Sequence, residues 1–393
     1  MSAPFGEPTV TSRAASRISL LIALGADNLG SGFFLPLTLV YVTRVVGLPL
    51  GVAGTTVAVG TTAGLLVPAL AGPLVDRVGP RPVVIASQLI QAAGAGLFLP
   101  AHGVLAVAVA TVALAGGQQL FYSSLFALIS DVAGDGPKDR PFAVVAMVRA
   151  GCFGAGALAA GALLTAAGND GLRTAVAVNA GSFLVCALML AVLVHPPHRP
   201  APDGRPARLR ADRKFLSLIV ITGLMALSVD FYLVGTPVYV LEVLAGRPWL
   251  PGVLLAVSTT INATCGTLAL RATRRVTRIA AMRLGAVLVI AWCAVSLLAL
   301  AVPAGWLSAV LLAATVVIAA GGLLFGVRAN ALATELAPAA ARGRYLATFQ
   351  YAFTVPGVLA PAVAGLFSVA SWLPWLLVAG CAALAAAGLR RFA

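Results

Sequence analysis

"LAGPLVDRVGPRPVV", residues 70–84, sets one acid and two bases, Asp76, Arg77 and Arg81, among Gly72, Gly79, Pro80 and Pro82, with long apolar runs on either side. Those flanking runs decide the fold. The chain is 60% hydrophobic and 10% charged over 393 residues. Its mean hydropathy is +1.01, whereas a soluble domain carries roughly a quarter of its residues charged. Stretches of about 20 apolar residues cross a bilayer as helices. Twelve occur, at 18–43, 51–73, 82–101, 104–131, 142–167, 172–194, 215–241, 250–270, 279–301, 305–334, 346–369 and 371–389. Lipid offers backbone groups no hydrogen bonds, so helices are the expected form. The runs lack the period-two alternation of a transmembrane barrel. The sequence thus reads as an all-α membrane protein of twelve transmembrane helices. Residues 1–17 are polar or mixed, and no small-residue cleavage site follows the first run, which is expected to be retained as a helix.

The net charge of +14 is distributed unevenly. With both termini on the cytoplasmic side, only Arg44, Arg173 and Arg247 of the 26 Lys and Arg face the opposite side, and Arg149 and Arg328 lie well inside runs. This is the positive-inside bias, which orients a multi-pass protein in the cell membrane and removes the reason to expect nucleic acid as a partner. Under the same assignment Trp249, Trp306, Trp372 and Trp375 fall near the outer ends of runs, as an interfacial aromatic belt would. The five cysteines all lie inside runs with no metal-ligand spacing, and packing is their expected role.

Residues 195–214, "HPPHRPAPDGRPARLRADRK", break the apolar rhythm with proline and arginine. They read as an extended polar linker whose basic charge also suits anionic lipid head groups. The expected organisation is a bundle over 1–194, the linker over 195–214 and a second bundle over 215–393. The halves resemble each other. "FFLPLTLVYV" at 33–42 matches "FYLVGTPVYV" at 231–240, at an offset of 198. "ALISDVAGDGPKDRPFA" at 127–143 aligns with "ALATELAPAAARGRYLA" at 331–347, at an offset of 204, which sets Asp131 on Glu335 and Arg140 on Arg344. Two pseudo-symmetric six-helix bundles joined by a basic linker are a transporter pattern, with the substrate site expected near the midplane between them.

The charged knot then occupies the short cytoplasmic loop between the second and third runs. Gly72, Leu74, Asp76, Arg77, Gly79 and Arg81 resemble the G-x-L-x-D-R-x-G-x-R loop signature of the major facilitator superfamily, and Asp131 matches the acid that joins the loop arginines there. The resemblance covers nearly the whole chain. It implies that this ionic cluster ties the second helix to the opposite half and holds the outward-open state. The corresponding loop of the second half, "RATRRVTRIAAMR" at 271–283, keeps only basic charge. Drug antiporters of this superfamily carry a G-x-x-x-G-P-x-x-G-G motif in their fifth helix. Here "CFGAGALAAG" at 152–161 keeps Gly156 and Gly161 but has Ala157 at the proline position, while "PGVLAPAVAG" at 356–365 keeps Pro361 and Gly365. These small residues equally suit close helix packing.

Ionisable groups inside membrane helices are costly and mark function by default. Asp27 lies about 14 Å into the first run at 1.5 Å per residue, near the bilayer centre. Asp230 lies deeper along the seventh run. His102, His195 and His198 all fall outside the runs, so Asp27 and Asp230 are the candidate proton carriers, Asp27 the leading one. Arg149 and Arg328 are the candidate charge partners, and Arg149 also suits an anionic substrate. Ser31, Phe34, Thr38 and Tyr41 follow Asp27 at helical spacing. Gln118, Gln119 and Tyr122, with Ser123 beside them, form a second polar group, and Asn262 sits within the eighth run. These side chains are candidates for a mixed cavity, and an interhelical hydrogen bond is the competing role for each.

The expected function is proton-coupled efflux of small amphipathic organic molecules by alternating access. The alternatives are an uptake symporter or uniporter of the same fold and, from another class, a non-transporting membrane receptor or partner subunit. No enzyme is expected, since no nucleophile–base pair or metal cluster falls within the runs, and no phosphate-binding loop for ATP occurs. No cofactor is expected. The expected partners are a small-molecule substrate, protons and membrane lipids, with the monomer as the working unit. The topology is testable: a Gly204→Cys variant should react with an impermeant thiol reagent only from the cytoplasmic side, and labelling from outside would invert the orientation.

Overall fold

Where lipid is the solvent, every helix must satisfy its own backbone, and the chain does so almost throughout. The computed structural model describes residues 10–133, 139–194, 212–266, 268, 275–336, 345 and 348–392. Within these, the side chains of 10–14, 68–70, 72, 73, 76, 139, 140 and 143 lie outside the description. All regular structure among the described residues is helical. Helix α1 runs Val10–Phe34 and continues through a tight turn, Leu35–Leu37, into Thr38–Arg44. Helix α2 is Leu50–Thr62 followed by Val67–Val78. Then come α3 (Pro80–Leu97) and α4 (Gly103–Ala133). The continuous stretch Asp139–Leu193 holds α5 and α6, with non-helical backbone at Gly168 between them.

The second half repeats the pattern. Helix α7 is Arg213–Val238, extended by a wider turn at Tyr239–Val243. It is followed by α8 (Leu250–Thr264), α9 (Arg278–Leu298), α10 (Ala304–Leu336), α11 (Tyr351–Gly365) and α12 (Leu373–Gly388). Eight helical stretches are individually long and apolar enough to cross a membrane, Val144–Leu193 counting as one of them. The expected linker lies outside the described residues up to 211, as do Arg344 and the side chain of Arg140. Just beyond, Asp212 caps α7 by accepting hydrogen bonds from the amides of Lys214 (2.9 Å) and Phe215 (3.3 Å).

Two glycines set the reversals. Gly79 has φ +85° and lets α2 turn directly into α3, whose first residue is Pro80. Gly168 has φ +53° and folds α6 back along α5. The chain therefore alternates between two faces. One carries the start of α1 and the ends of α6 and α12, and is called the terminal face here. The other, the far face, carries the turns after Arg44, Leu97, Gly168, Val243, Ala301 and Ser368.

The offset of 198 seen in the sequence recurs as geometry. Tyr41 donates its hydroxyl proton to the Phe98 carbonyl at 2.8 Å, tying α1 to α3. Tyr239 does the same to the Ser296 carbonyl at 2.6 Å, tying α7 to α9. Both partners are displaced by the repeat. The halves meet through a second symmetric pair. A Cβ on Gly54 of α2 would lie 2.5 Å from the Pro361 carbonyl and 2.8 Å from the Cα of Gly365 in α11. Its repeat partner Gly252 of α8 packs equally tightly on Ala157 and Gly161 of α5. Absent side chains let these backbones touch, which is how helices associate where lipid removes the hydrophobic drive.

The aromatic residues do not all sit at the interface. Trp306 and Trp372 are exposed and Trp249 is half-buried, as an interfacial belt requires. Trp375 is not part of that belt. It is 1% exposed and packs against Trp292, Phe231 and Tyr239 in the second bundle. Its place near a helix end is overridden by a helix face that turns inward. The close glycine contact is open to test. Gly252→Leu should cost about 1–3 kcal/mol by overpacking and lower the Tm of detergent-purified protein. Gly326→Leu, at a site with nothing within 4 Å of a Cβ, should leave the Tm unchanged.

Candidate functional site

Asp27 is 4% exposed and sits between α1 and α3. Its Oδ1 accepts a hydrogen bond from Gln88 Nε2 at 3.2 Å and its Oδ2 one from Asn28 Nδ2 at 3.0 Å. Asn28 is anchored in turn on the Leu24 carbonyl at 2.9 Å. Gln88 is fully buried, and its Oε1 receives no hydrogen bond among the described residues. Sequence reasoning missed Gln88. The signal was present in "SQLIQ" at 87–91, whose Ser87, Gln88 and Gln91 are all buried. Asn179 of α6, also fully buried, packs one turn along α1 from Asp27, against Gly30.

Arg149 of α5 reaches across to α4. Its Nη2 donates to the Tyr122 hydroxyl at 3.0 Å, and its Cζ lies 5.0 Å from the Tyr122 ring centre and 5.5 Å from that of Phe121. The rings supply cation–π attraction. Its Nε is buried without an acceptor, and no carboxylate pairs with it among the described residues. The structure thus brings together two residues that the sequence had placed in separate roles, Arg149 and Tyr122.

Asp230 of α7 is half-buried and faces α11, where its Oδ2 would lie 3.8 Å from a Cβ on Gly357. Among the described residues it accepts no hydrogen bond and forms no ion pair. Its repeat partner is Gly32, which packs directly on the Phe153 carbonyl of α5. Arg328 of α10 is 8% exposed, and its Nη1 donates to the Leu324 carbonyl one turn back at 3.2 Å.

The other cavity candidates divide. Phe34 and Tyr41 are fully buried and pack edge-on with Phe98, so they are core rather than lining. Thr38 is buried and bonds the Leu35 carbonyl of its own helix at 2.9 Å. Ser31 is 8% exposed. Gln118 and Gln119 are half-buried, with Gln119 against Gly64 of α2, and Tyr122 is 41% exposed. Asn262 is exposed and donates to the Ser258 carbonyl at 2.9 Å.

In the knot, Arg81 donates to the carbonyls of Leu190 (3.1 Å) and Ala191 (2.6 Å), satisfying the open C-terminal turn of α6. Leu74 and Arg77 are exposed, Gly79 is buried, and Asp131 is half-buried at the end of α4. The burial of Gly72 and the side chain of Asp76 lie outside the description. The second half has an ion pair where its loop had suggested only basic charge. Arg278 of α9 grips Glu335, the repeat partner of Asp131, at 2.5 and 2.7 Å.

A family model described as Major Facilitator Superfamily matches residues 20–361. The chain belongs to the major facilitator superfamily. It is a multi-pass membrane transporter of a small-molecule substrate and not an enzyme. Solved structures of the same fold include a mutant of the nucleoside transporter NupG, at a TM-score of 0.80 and 14% identity, covering 95% of this chain and 99% of that one. A bacterial homologue of the iron transporter ferroportin, in an inward-facing state, aligns at a TM-score of 0.76 and 14% identity over 98% and 99% of the two chains. The peptide transporter POT in complex with sulfate aligns at 0.74 and 14% identity over 100% and 95%. At these identities the likeness is one of fold. No curated protein matches by sequence.

Superfamily transporters work by rocking one half against the other, so the contacts that cross between halves define the state. Arg44 Nε meets Glu242 Oε1 at 2.6 Å, and Arg44 Nη2 donates to the Leu241 carbonyl at 3.1 Å. The two residues are 198 apart, so the bridge spans the pseudo-two-fold axis between equivalent positions. Among the described residues no other ion pair joins the halves. With the glycine contacts, this bridge closes the far face. A partly exposed pair contributes at most about 1 kcal/mol. Glu242→Ala should therefore shift the population toward far-face opening by up to about fivefold. Labelling of a cysteine at Tyr122 from the terminal face would report it, and the exchanged pair Arg44→Glu with Glu242→Arg should restore the original labelling.

Proposed function

We propose that the protein exports small amphipathic organic molecules in exchange for protons, with both termini cytoplasmic in the cell membrane. The observation that carries this reading is the Asp27–Gln88 pair. As an anion, Asp27 accepts the Gln88 amide proton. A half-turn of the Gln88 amide would present Oε1, a buried acceptor that lacks a donor, to the proton of the neutral acid. Both protonation states of one deep carboxylate then have a partner, which is what a group that gains and loses a proton within lipid needs. Asp230 is the second carboxylate at depth and the reserve carrier.

Arg149 also supports a second reading. With no carboxylate ion-paired to it among the described residues, Arg149 is open to an anionic group, and a proton and an anion travelling together would make the protein an uptake symporter. Sign and carrier are separable by experiment. Inverted vesicles carrying the protein should accumulate export substrates from a compound panel only under an imposed pH gradient. Asp27→Asn should abolish that accumulation while leaving exchange down a gradient intact. If Asp230→Asn abolishes it instead, the carrier is Asp230. If neither change matters, the transport is not driven by protons.

A further inference from the structure

Of the four charges held within membrane helices, two have polar partners on the protein. Asp27 has two amide donors, and Arg328 has a carbonyl. The other two form no ion pair among the described residues. Arg149 has only a phenol oxygen and ring faces, with Nε unsatisfied. Asp230 has none. One is a cation in the first half and the other an anion in the second.

Both are half-buried rather than sealed inside a bundle core. Arg149 rests against Tyr122, which is 41% exposed, and Asp230 follows Val229, which is 51% exposed, at the α7–α11 contact. Their depths differ. Gly25 packs against Val148 and Cys152, at 3.5 and 3.3 Å from its Cβ position, so Arg149 is level with residue 25 of α1. Asp230 is the repeat partner of Gly32, further along the equivalent helix. Seven residues of helix separate those levels, about 10 Å along the membrane normal.

We propose that the transported solute is a zwitterion whose cationic and anionic groups reach two levels about 10 Å apart along the membrane normal, the cation on Asp230 and the anion on Arg149. This deepens the proposed function, and it rests on the placing of the substrate between the halves. The physical reason is desolvation. When the halves close around the solute, both charges lose water, and an unpaired charge at that depth is strongly unfavourable. A solute with a single charge satisfies one side and leaves the other exposed to lipid-like surroundings. A zwitterion satisfies both at once and bridges the halves while doing so, so selection acts against the half-matched solutes.

The test uses the full chain in lipid nanodiscs at fixed pH, with straight-chain ω-amino acids of increasing length as probes. Alkylamines and fatty acids of the same lengths are the singly charged controls, and binding is read by thermal shift and titration. The ω-amino acids should bind about tenfold or more tighter than either control, a difference of about 1.4 kcal/mol, with an optimum length rather than a monotonic rise. Asp230→Asn should reduce the ω-amino acid to the affinity of the fatty acid. Arg149→Gln should reduce it to that of the alkylamine, and Arg149→Lys, which keeps the charge if glutamine compromises folding, should retain the preference. Equal binding of zwitterions and controls by the wild type overturns the proposal. So does a variant that weakens all three probe classes alike. Because no pH gradient is applied, failure of proton coupling leaves this result unaffected, and the two ideas fall separately.

Discussion

Gly54 against Gly365, and Gly252 against Gly161, are the contacts on which the rest of the molecule hinges. Within lipid, apolar side chains gain little by leaving one apolar neighbour for another, so attraction between the halves must come from close backbone approach. A side chain at any of these positions would meet backbone rather than a flexible tip. The two contacts are related by the same repeat that relates the halves, so they form a symmetric hinge at the far face. The Arg44–Glu242 bridge lies on that side of the hinge and crosses the symmetry axis. Its modest strength suits its place, since a strong latch would hold a transporter in one state.

Away from the hinge, the polar groups follow a second rule: in a low-dielectric bundle each must find a partner. The arginines at the terminal face do this by meeting open helix ends. Arg17 donates to the Ala133 carbonyl at 2.5 Å, and Arg81 to those of Leu190 and Ala191. These contacts lie within one half, so part of the charged knot serves to finish α6. Arg278 and Glu335 perform a comparable service for α9 and α10 in the other half.

Much of the architecture is legible in the sequence because lipid imposes long apolar runs, and because the repeat puts the same residues in corresponding places twice. The matched "VYV" of 40–42 and 238–240 becomes the matched tyrosine ties of α1 and α7. The candidate site is less legible. Helical spacing puts Phe34 and Tyr41 on one face with Ser31, but it does not say whether that face meets the other half or its own bundle, and α3 covers it. Gln88 is only faintly legible, through its polar neighbours Ser87 and Gln91, for a related reason. A glutamine in an apolar run carries no charge to flag it, and only the packing of α3 on α1 discloses that it holds Asp27. The Arg278–Glu335 pair joins residues 57 apart, beyond the reach of any local pattern.

The repeat is most informative where it fails. Asp27 corresponds to Met225, Arg149 to Phe353, Asp230 to Gly32 and Arg328 to Ser124. Each charge inside the membrane thus faces an uncharged residue in the matching position of the other half. The features that obey the symmetry, the tyrosine ties and the glycine contacts, build two halves that fit each other in either sense. Such a scaffold alone would have no reason to prefer one solute or to link its motion to an ion. The four charges supply that reason because they stand at non-equivalent positions in the two halves: the first carries Asp27 and Arg149, the second Asp230 and Arg328. A solute or proton entering the space between the halves meets different chemistry on its two sides. Its binding can therefore favour one arrangement of the scaffold over the other, which is the differential affinity that any ligand-driven shift requires.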